Sequence, residues 1–228
     1  MSRILIVAAH PDDEILGCGA TILKRIQAGD EVASLVLGEG VTSRYNRRGE
    51  APPEELAALR KANEQVAAYC GFVKHWLLDF PDNRFDSVDF LDLVKAVEHV
   101  KREVQPDIIY THFEHDLNLD HRLTFQAVLT ACRPKPGETL REIYSFETPS
   151  SSEWVSPFSG DNVFRPNVFV NVKETLERKI EAMRFYDSEL APYPHPRSPE
   201  ALRTIAKRWG VACGQPAAEA FILIRKIG

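Results

Sequence analysis

A disulfide framework, a membrane span, a dinucleotide fingerprint and a basic face are all missing from this sequence of 228 residues. The four cysteines, Cys18, Cys70, Cys132 and Cys213, are scattered and form no CxxC pair. That argues against disulfide stapling and a cysteine zinc site, and leaves each as a small buried hydrophobe. No apolar stretch approaches the roughly 20 residues that span a bilayer, so stable membrane insertion is not expected. The apolar run that opens the chain, about six residues, is too short for the core of a secretory signal, and a cytoplasmic location is expected. Lys and Arg total 28 against 33 Asp and Glu, a formal net charge of −5, so no nucleic-acid partner is expected. No Gly-x-Gly-x-x-Gly follows the first apolar run, which disfavours a dinucleotide site.

What is present is an ordinary globular composition, 44% hydrophobic and 27% charged, enough for a proper core. No internal repeat, low-complexity run or linker interrupts it, so residues 1–228 are expected to form a single domain.

Strand and helix patterns alternate. Residues 3–9 are continuously apolar, as in a strand buried on both faces. Helical spacing follows at 14–28, ended by Gly29-Asp30. A second strand is expected at 31–37, and a polar loop at 38–53 carries Glu39, Arg44, Arg47 and Arg48. A loop of about 15 residues inside a compact domain is unusual and often functional. Pro52-Pro53-Glu54-Glu55 opens a second helix. A third strand at 72–78, a third helix capped by Ser87 or Asp89, a fourth strand at 108–112 and a fourth helix near 120–131 complete four β-α units. The rest is less regular: strands at 141–146, 168–170 and 220–227, a loop over 154–166, a helix with a possible capping box from Asn171 and Glu174, a rigid turn at 193–198 and a last helix from Ser198 to about 209. Successive β-α units predict an α/β fold, a Rossmann-like three-layer sandwich with a mostly parallel central sheet. Ligands in such sheets bind beyond the carboxyl ends of the strands.

Two polar clusters fall at such ends. After the first strand comes His10-Pro11-Asp12-Asp13-Glu14. In a helical or near-helical first turn His10 and Asp13 share a side, and both suit a zinc ion. Asp12 sits between them and must point elsewhere, which leaves it free to face a metal-bound water. After the fourth strand come His112, His115, Asp116, Asp120 and His121. A catalytic zinc needs three protein ligands, so the third is sought at another strand end, with Asp116 or Asp120 orienting an imidazole from outside. Of the other histidines, His75 and His99 read as structural or solvated, and His195 lies in the proline-flanked turn. Each cluster alone also reads as helix-start charges or caps favoured by the helix dipole; two of them at the strand ends of one sheet favour a site.

Ala9-His10-Pro11-Asp12-Asp13-Glu14 together with Asp120-His121-Arg122 resembles the PIG-L/LmbE family of zinc-dependent N-acetylglucosamine N-deacetylases. Leu37-Gly38-Glu39-Gly40, Phe80-Pro81-Asp82-Asn83-Arg84, Tyr193-Pro194-His195-Pro196-Arg197-Ser198 and Ala218-Glu219-Ala220-Phe221 extend the resemblance along nearly the whole chain. It implies one Zn²⁺ per chain on His10, Asp13 and His121, with Asp12 as general base. It also implies an N-acetylated sugar conjugate as substrate, and a homo-oligomer. Several members carry a distal His-Pro-Asp-His whose first histidine assists the carbonyl or the amine; here that position is Asn118. The acid role then passes to His195, His115 or His112, with His195 favoured because a proline on each side fixes its direction. Arg44 or Arg47, Arg84 and Asn118 are the candidates for binding sugar hydroxyls or an anionic aglycone. A metal-dependent phosphoesterase and a non-catalytic carbohydrate-binding protein are the competing readings.

Overall fold

Side chains alternate faces along a strand, and this decides the layering of the molecule. The computed structural model describes residues 1–156 and 162–228. In β1 (Arg3–Ala8), Ile4 and Ile6 pack with Cys18 and Ile22 of α1 (Asp13–Gln27). Leu5 and Val7 face the other way, onto α3 (Phe90–Val104) and α4 (Leu119–Ala131) through Leu93, Val97 and Val128. All four β1 side chains are fully buried. Burying one such side chain stabilises by about 1.5–3 kcal/mol relative to exposure, so the central strand is firmly held.

Around β1 lie β2 (Glu31–Gly38), β3 (Lys74–Phe80), β4 (Ile108–His112), β5 (Glu142–Phe146), β6 (Val168–Asn171) and β7 (Ala218–Lys226), in the order β3-β2-β1-β4-β5-β7-β6. The first five strands run parallel, with Ile4 beside both Val32 and Ile108; β7 runs antiparallel to β5 and β6. The chain leaves β1 for β2 and β3 on one side and returns to β4 on the other. The point where strand order reverses therefore lies between β1 and β4, and a crevice opens there beyond their carboxyl ends. α2 (Pro53–Cys70), α5 (Leu176–Met183) and α6 (Pro199–Cys213) join α1 in a shared core through Val66, Ile180 and Leu202. The α/β, three-layer, mostly parallel expectation holds. Among the described residues no helix is long and apolar enough to cross a membrane.

Gly17 sets how closely α1 approaches the sheet: a Cβ there would meet the Phe146 ring at 2.2 Å. That contact carries the amino end of α1, and with it the first polar cluster, down onto the strand ends.

Several local expectations are corrected. β3 begins at Lys74, not residue 72, and extends to Phe80. The capping box expected from Asn171 and Glu174 does not form: Asn171 ends β6, its Oδ1 accepts from Lys173 N–H at 3.0 Å, and α5 starts only after Thr175. A local Asx turn has outcompeted a helix start. α6 is capped by Ser198, whose Oγ accepts from Ala201 N–H at 3.1 Å, and runs on to Cys213. The polar loop after β2 contains two short 3-10 turns, Thr42–Arg44 and Arg48–Glu50. Of the loop expected over 154–166, residues 157–161 lie outside the described residues.

Candidate metal centre and active site

The chain does not enter α1 helically. Asp12 sits at φ 113° and ψ −31°, a backbone conformation that costs a non-glycine residue energy and persists only where its surroundings impose it. Here they do. Asp12 N–H donates to Glu14 Oε2 at 3.0 Å, and Asp12 C=O accepts from Ile15 and Leu16 N–H at 3.0 and 2.8 Å. This turn, rather than a helical turn, places His10 beside Asp13: His10 N–H donates to Asp13 Oδ2 at 2.9 Å.

Three imidazoles converge on that carboxylate, His112 Nε2 among them at 3.4 Å from Asp13 Oδ2. His10 Nδ1 stands 3.4 Å and His121 Nε2 3.3 Å from Asp13 Oδ2. The opposite nitrogen of each of these last two rings is tied to another acid: His10 Nε2 to Asp120 Oδ2 and His121 Nδ1 to Asp116 Oδ1, both at 3.0 Å. Carboxylates behind two imidazoles fix tautomer and ring direction, as around bound metals. Ser151 and Ser152 donate in turn to Asp116. His10, Asp13 and His121 present ligand atoms within 4.8 Å of one another, and Asp13 Oδ1 is buried with no hydrogen-bond partner. A buried carboxylate oxygen without a partner is costly unless something else fills its lone pairs, so these residues fit a metal ion. His10, Asp82 and Asp120 form a second close group. Its acids are already engaged, Asp120 Oδ1 by Phe85 N–H at 3.0 Å and Asp82 Oδ2 by Ser43 N–H at 3.0 Å. The first group is the better metal centre.

The charges respond to this crowding. Burial works against charge on His10, but its bonds to Asp120 and Asp13 hold the imidazole well above its ordinary value. Burial likewise opposes ionisation of Asp13, yet His121 and His112 hold it well below the usual carboxylate range. Asp12, 2% exposed, goes the other way: burial pushes it well above that range, against the pull of the Arg197 guanidinium 2.9 Å from its Oδ2. Glu14 is no solvated helix-start charge. It is fully buried, receives the Tyr186 hydroxyl, and burial pushes it to about 7.

Residues 5–132 match the family model PIG-L: GlcNAc-PI de-N-acetylase. The chain belongs to the PIG-L/LmbE family of deacetylases. It is 33% identical over 191 residues to the uncharacterized deacetylase YaiS of Escherichia coli K12, covering 81% of this chain and 90% of that one. It is 28% identical over 227 residues to the diacetylchitobiose deacetylase of Thermococcus kodakarensis, covering 96% and 82%. Two solved structures superpose with a TM-score of 0.77. One is the N,N'-diacetylchitobiose deacetylase of Pyrococcus horikoshii in complex with its inhibitor, at 22% identity over 98% of this chain and 84% of that one. The other is GalB, the 4-carboxy-2-hydroxymuconate hydratase of Pseudomonas putida KT2440, at 21% identity over 100% and 98%. At such identities the likeness is one of fold, and a hydratase shares it, so the chemistry of this PIG-L member has to be read from its side chains.

In this PIG-L chain the crevice is a cleft of about 280 Å³ whose wall includes His10, Asp12, Arg44, Asn118, Glu189 and Arg197. A larger hollow, about 550 Å³, opens at the opposite ends of the strands around residues 132–141 and brings no ligand group together. Asn118 caps α4, accepting from Asp120 N–H at 2.8 Å, and its Nδ2 donates to Asn83 Oδ1 at 2.8 Å. Arg44 reaches Glu189 at 2.6 Å. Arg84 turns to Asn46 O at 3.2 Å, and Arg47 is exposed in the loop; neither lines the cleft. His195 is half-buried, its ring edge-on to Trp154 and its Nδ1 accepting from Arg197 N–H at 3.2 Å. His115 is 40% exposed beside Glu114. His112 is buried with both nitrogens engaged: Nε2 accepts from Ala9 N–H at 2.9 Å and Nδ1 meets Thr148 Oγ1 at 3.1 Å. It therefore has no free proton to deliver.

Sequence reasoning assigned no role to Arg197, Glu189 or Asp82. Arg197 and Asp82 lie inside stretches that carry the family resemblance, which was a usable signal. Glu189 had none, since its partners Arg44 and Arg197 are brought to it only by the fold.

Proposed function

We propose that this deacetylase is zinc-dependent and hydrolyses the acetamide of an N-acetylated amino sugar conjugate, with His10, Asp13 and His121 holding one zinc ion. One observation carries the metal reading: two imidazoles backed by carboxylates, aimed at an Asp13 carboxylate whose other oxygen has no partner. The spacing supports zinc. Ligand atoms about 2.0–2.1 Å from a tetrahedral ion lie about 3.3–3.4 Å apart, and His10 Nδ1 and His121 Nε2 stand 3.4 and 3.3 Å from Asp13 Oδ2; His112 Nε2, also 3.4 Å away, is taken by the Ala9 N–H. A bound zinc ion supplies Lewis-acid polarisation of the carbonyl and acidifies the attacking water.

Asp12 takes the proton of that water as general base. Its raised proton affinity suits the task, and Arg197 aims the carboxylate. Asp120 and Asp116 keep the two imidazoles turned to the centre. His195, whose Nδ1 is an acceptor so that Nε2 carries the proton, is the proposed donor to the leaving amine. Asn118, with its amide fixed by Asp120 and Asn83, and Arg44 contact the sugar; Arg47, Arg84 and His115 stand outside the cleft wall and are left out of the reaction, whereas His195, also off that wall, is kept because its backbone-bonded neighbour Arg197 lies on it. A homo-oligomer, implied by the resemblance, and the expected cytoplasmic location belong to the same proposal.

The test is release of acetate and free amine, in equal amounts, from a panel of N-acetylglucosaminides by zinc-loaded protein. His121→Ala should lose both the metal and the release. Full zinc affinity in that variant would remove His121 from the ligand set.

A further inference from the structure

Arg44 and Arg197 are the two guanidinium groups on the cleft wall among the described residues, and the chain itself already neutralises both. Glu189, in the short turn Asp187–Glu189, lies between them. Its Oε1 accepts from Arg44 Nη2 at 2.6 Å and its Oε2 from Arg197 Nη1 at 3.2 Å. Ser188 Oγ adds a third bond to Oε1 at 3.1 Å, and the Glu189 side chain is only 12% exposed. Next to the cleft, Arg48 is closed off in the same way, its Nε and Nη2 on Glu39 at 2.7 and 2.8 Å.

A pair of guanidinium groups on a cleft wall is the ordinary receptor for a carboxylate or phosphate on a ligand. Here a carboxylate of the protein fills that place, and Asp82 adds another acid to the same wall. An anionic substituent on the substrate must either displace Glu189 from two ion pairs or sit beside a poorly hydrated like charge. Hydroxyl groups meet no such barrier: Glu189 and Asp82 accept from them, and Arg44 donates to them. Resting on the deacetylase reading above, we infer that Glu189 is a specificity determinant. It makes the cleft select N-acetylated sugars whose aglycone is uncharged and hydroxyl-bearing, and discriminate against carboxylate- or phosphate-bearing ones.

The experiment compares two probes on the zinc-loaded protein, methyl N-acetylglucosaminide and its carboxymethyl counterpart, by amine release. The wild type should favour the methyl compound by about tenfold in kcat/KM, chiefly through KM, since like-charge juxtaposition acts on binding. Added salt should shrink that preference by screening. Glu189→Gln should narrow or invert the ratio, and Glu189→Asp should restore it. A wild type that prefers the carboxymethyl compound, or a folded Glu189→Gln protein with an unchanged ratio, overturns the inference. Should Glu189→Gln fail to fold, a salt-insensitive preference in the wild type overturns it as well. Release from neither probe by fully zinc-loaded protein counts against the deacetylase reading itself, which separates the two failures.

Discussion

His112 and His121 lie face to face, ring centroids 4.0 Å apart and planes within 15°, yet the fold drives their proton affinities in opposite directions. Burial pushes His112 down to about 3, where its Nε2 serves the Ala9 N–H as an acceptor. Burial would lower His121 as well, but Asp13 and Asp116 hold it up at about 9. One ring of the stack is neutral and the other carries a proton where the metal would be.

This fixes the pH dependence that the pair gives the metal-free protein. An unfolded imidazole titrates near about 6.5. The His112 contribution is present above that value and is lost as pH falls towards about 3, because the unfolded state binds the extra proton. The His121 contribution is present below that value and is lost as pH rises through about 9, because the folded state binds the extra proton. Denaturant titrations of metal-free protein across pH should show the alkaline loss reduced in His121→Asn, with the remainder coming from His10, which is likewise held above its ordinary value. Bound zinc should remove the alkaline loss, since the ion replaces the proton.

The acids behind the imidazoles should matter to the metal without touching it. Asp116→Asn and Asp120→Asn should each weaken zinc binding by about 10–100-fold in a competition titration, as loss of such partners does elsewhere. Asp82→Asn should weaken zinc binding less than Asp120→Asn, since Asp82 Oδ1 stands 3.3 Å from His10 Nε2 against 3.0 Å for Asp120, and is shared with Asn83.

Gly17 offers a test of packing rather than chemistry. Gly17→Ala should destabilise the protein by about 1–3 kcal/mol, the cost of overpacking a filled core. It should also lower activity, because the added methyl group pushes α1, and with it Asp13, away from Phe146. Thermal melts and acetate release read the two effects. An unchanged melting temperature would mean that α1 can yield without cost.

Asn118 has a simple structural task besides any contact with substrate. Asn118→Ala removes the side-chain acceptor for Asp120 N–H and should cost about 1 kcal/mol, the usual value of an N-cap. Asn118→Asp should keep that stability, so any loss of activity in it reports on the cleft.

What could be read from the sequence was local and periodic. The unbroken apolar run before His10 announced a buried parallel strand, and the acids and imidazoles after the first and fourth strands fell where a parallel sheet collects its ligands. The positive φ of Asp12 was not legible, because Glu14 imposes it from a buried position that its charge disguises. Glu14 read as part of a cluster of helix-start charges, whereas Tyr186, far along the chain, makes its full burial tolerable. The engagement of His112 depends on β1 and β4 pairing side by side, and the Arg44–Glu189–Arg197 group on three loops meeting; no spacing rule encodes either. The false capping box at Asn171 shows the converse, a correct motif overruled by a two-residue Asx turn.

The measurement that bears most directly on this account pairs metal content with hydrolysis in Asp12→Asn. The protein is predicted to bind one zinc ion per chain as the wild type does, and to release acetate from an N-acetylglucosaminide about 10²–10⁴-fold more slowly, the usual share of a general base. Wild-type rates in a zinc-loaded Asp12→Asn protein would contradict it.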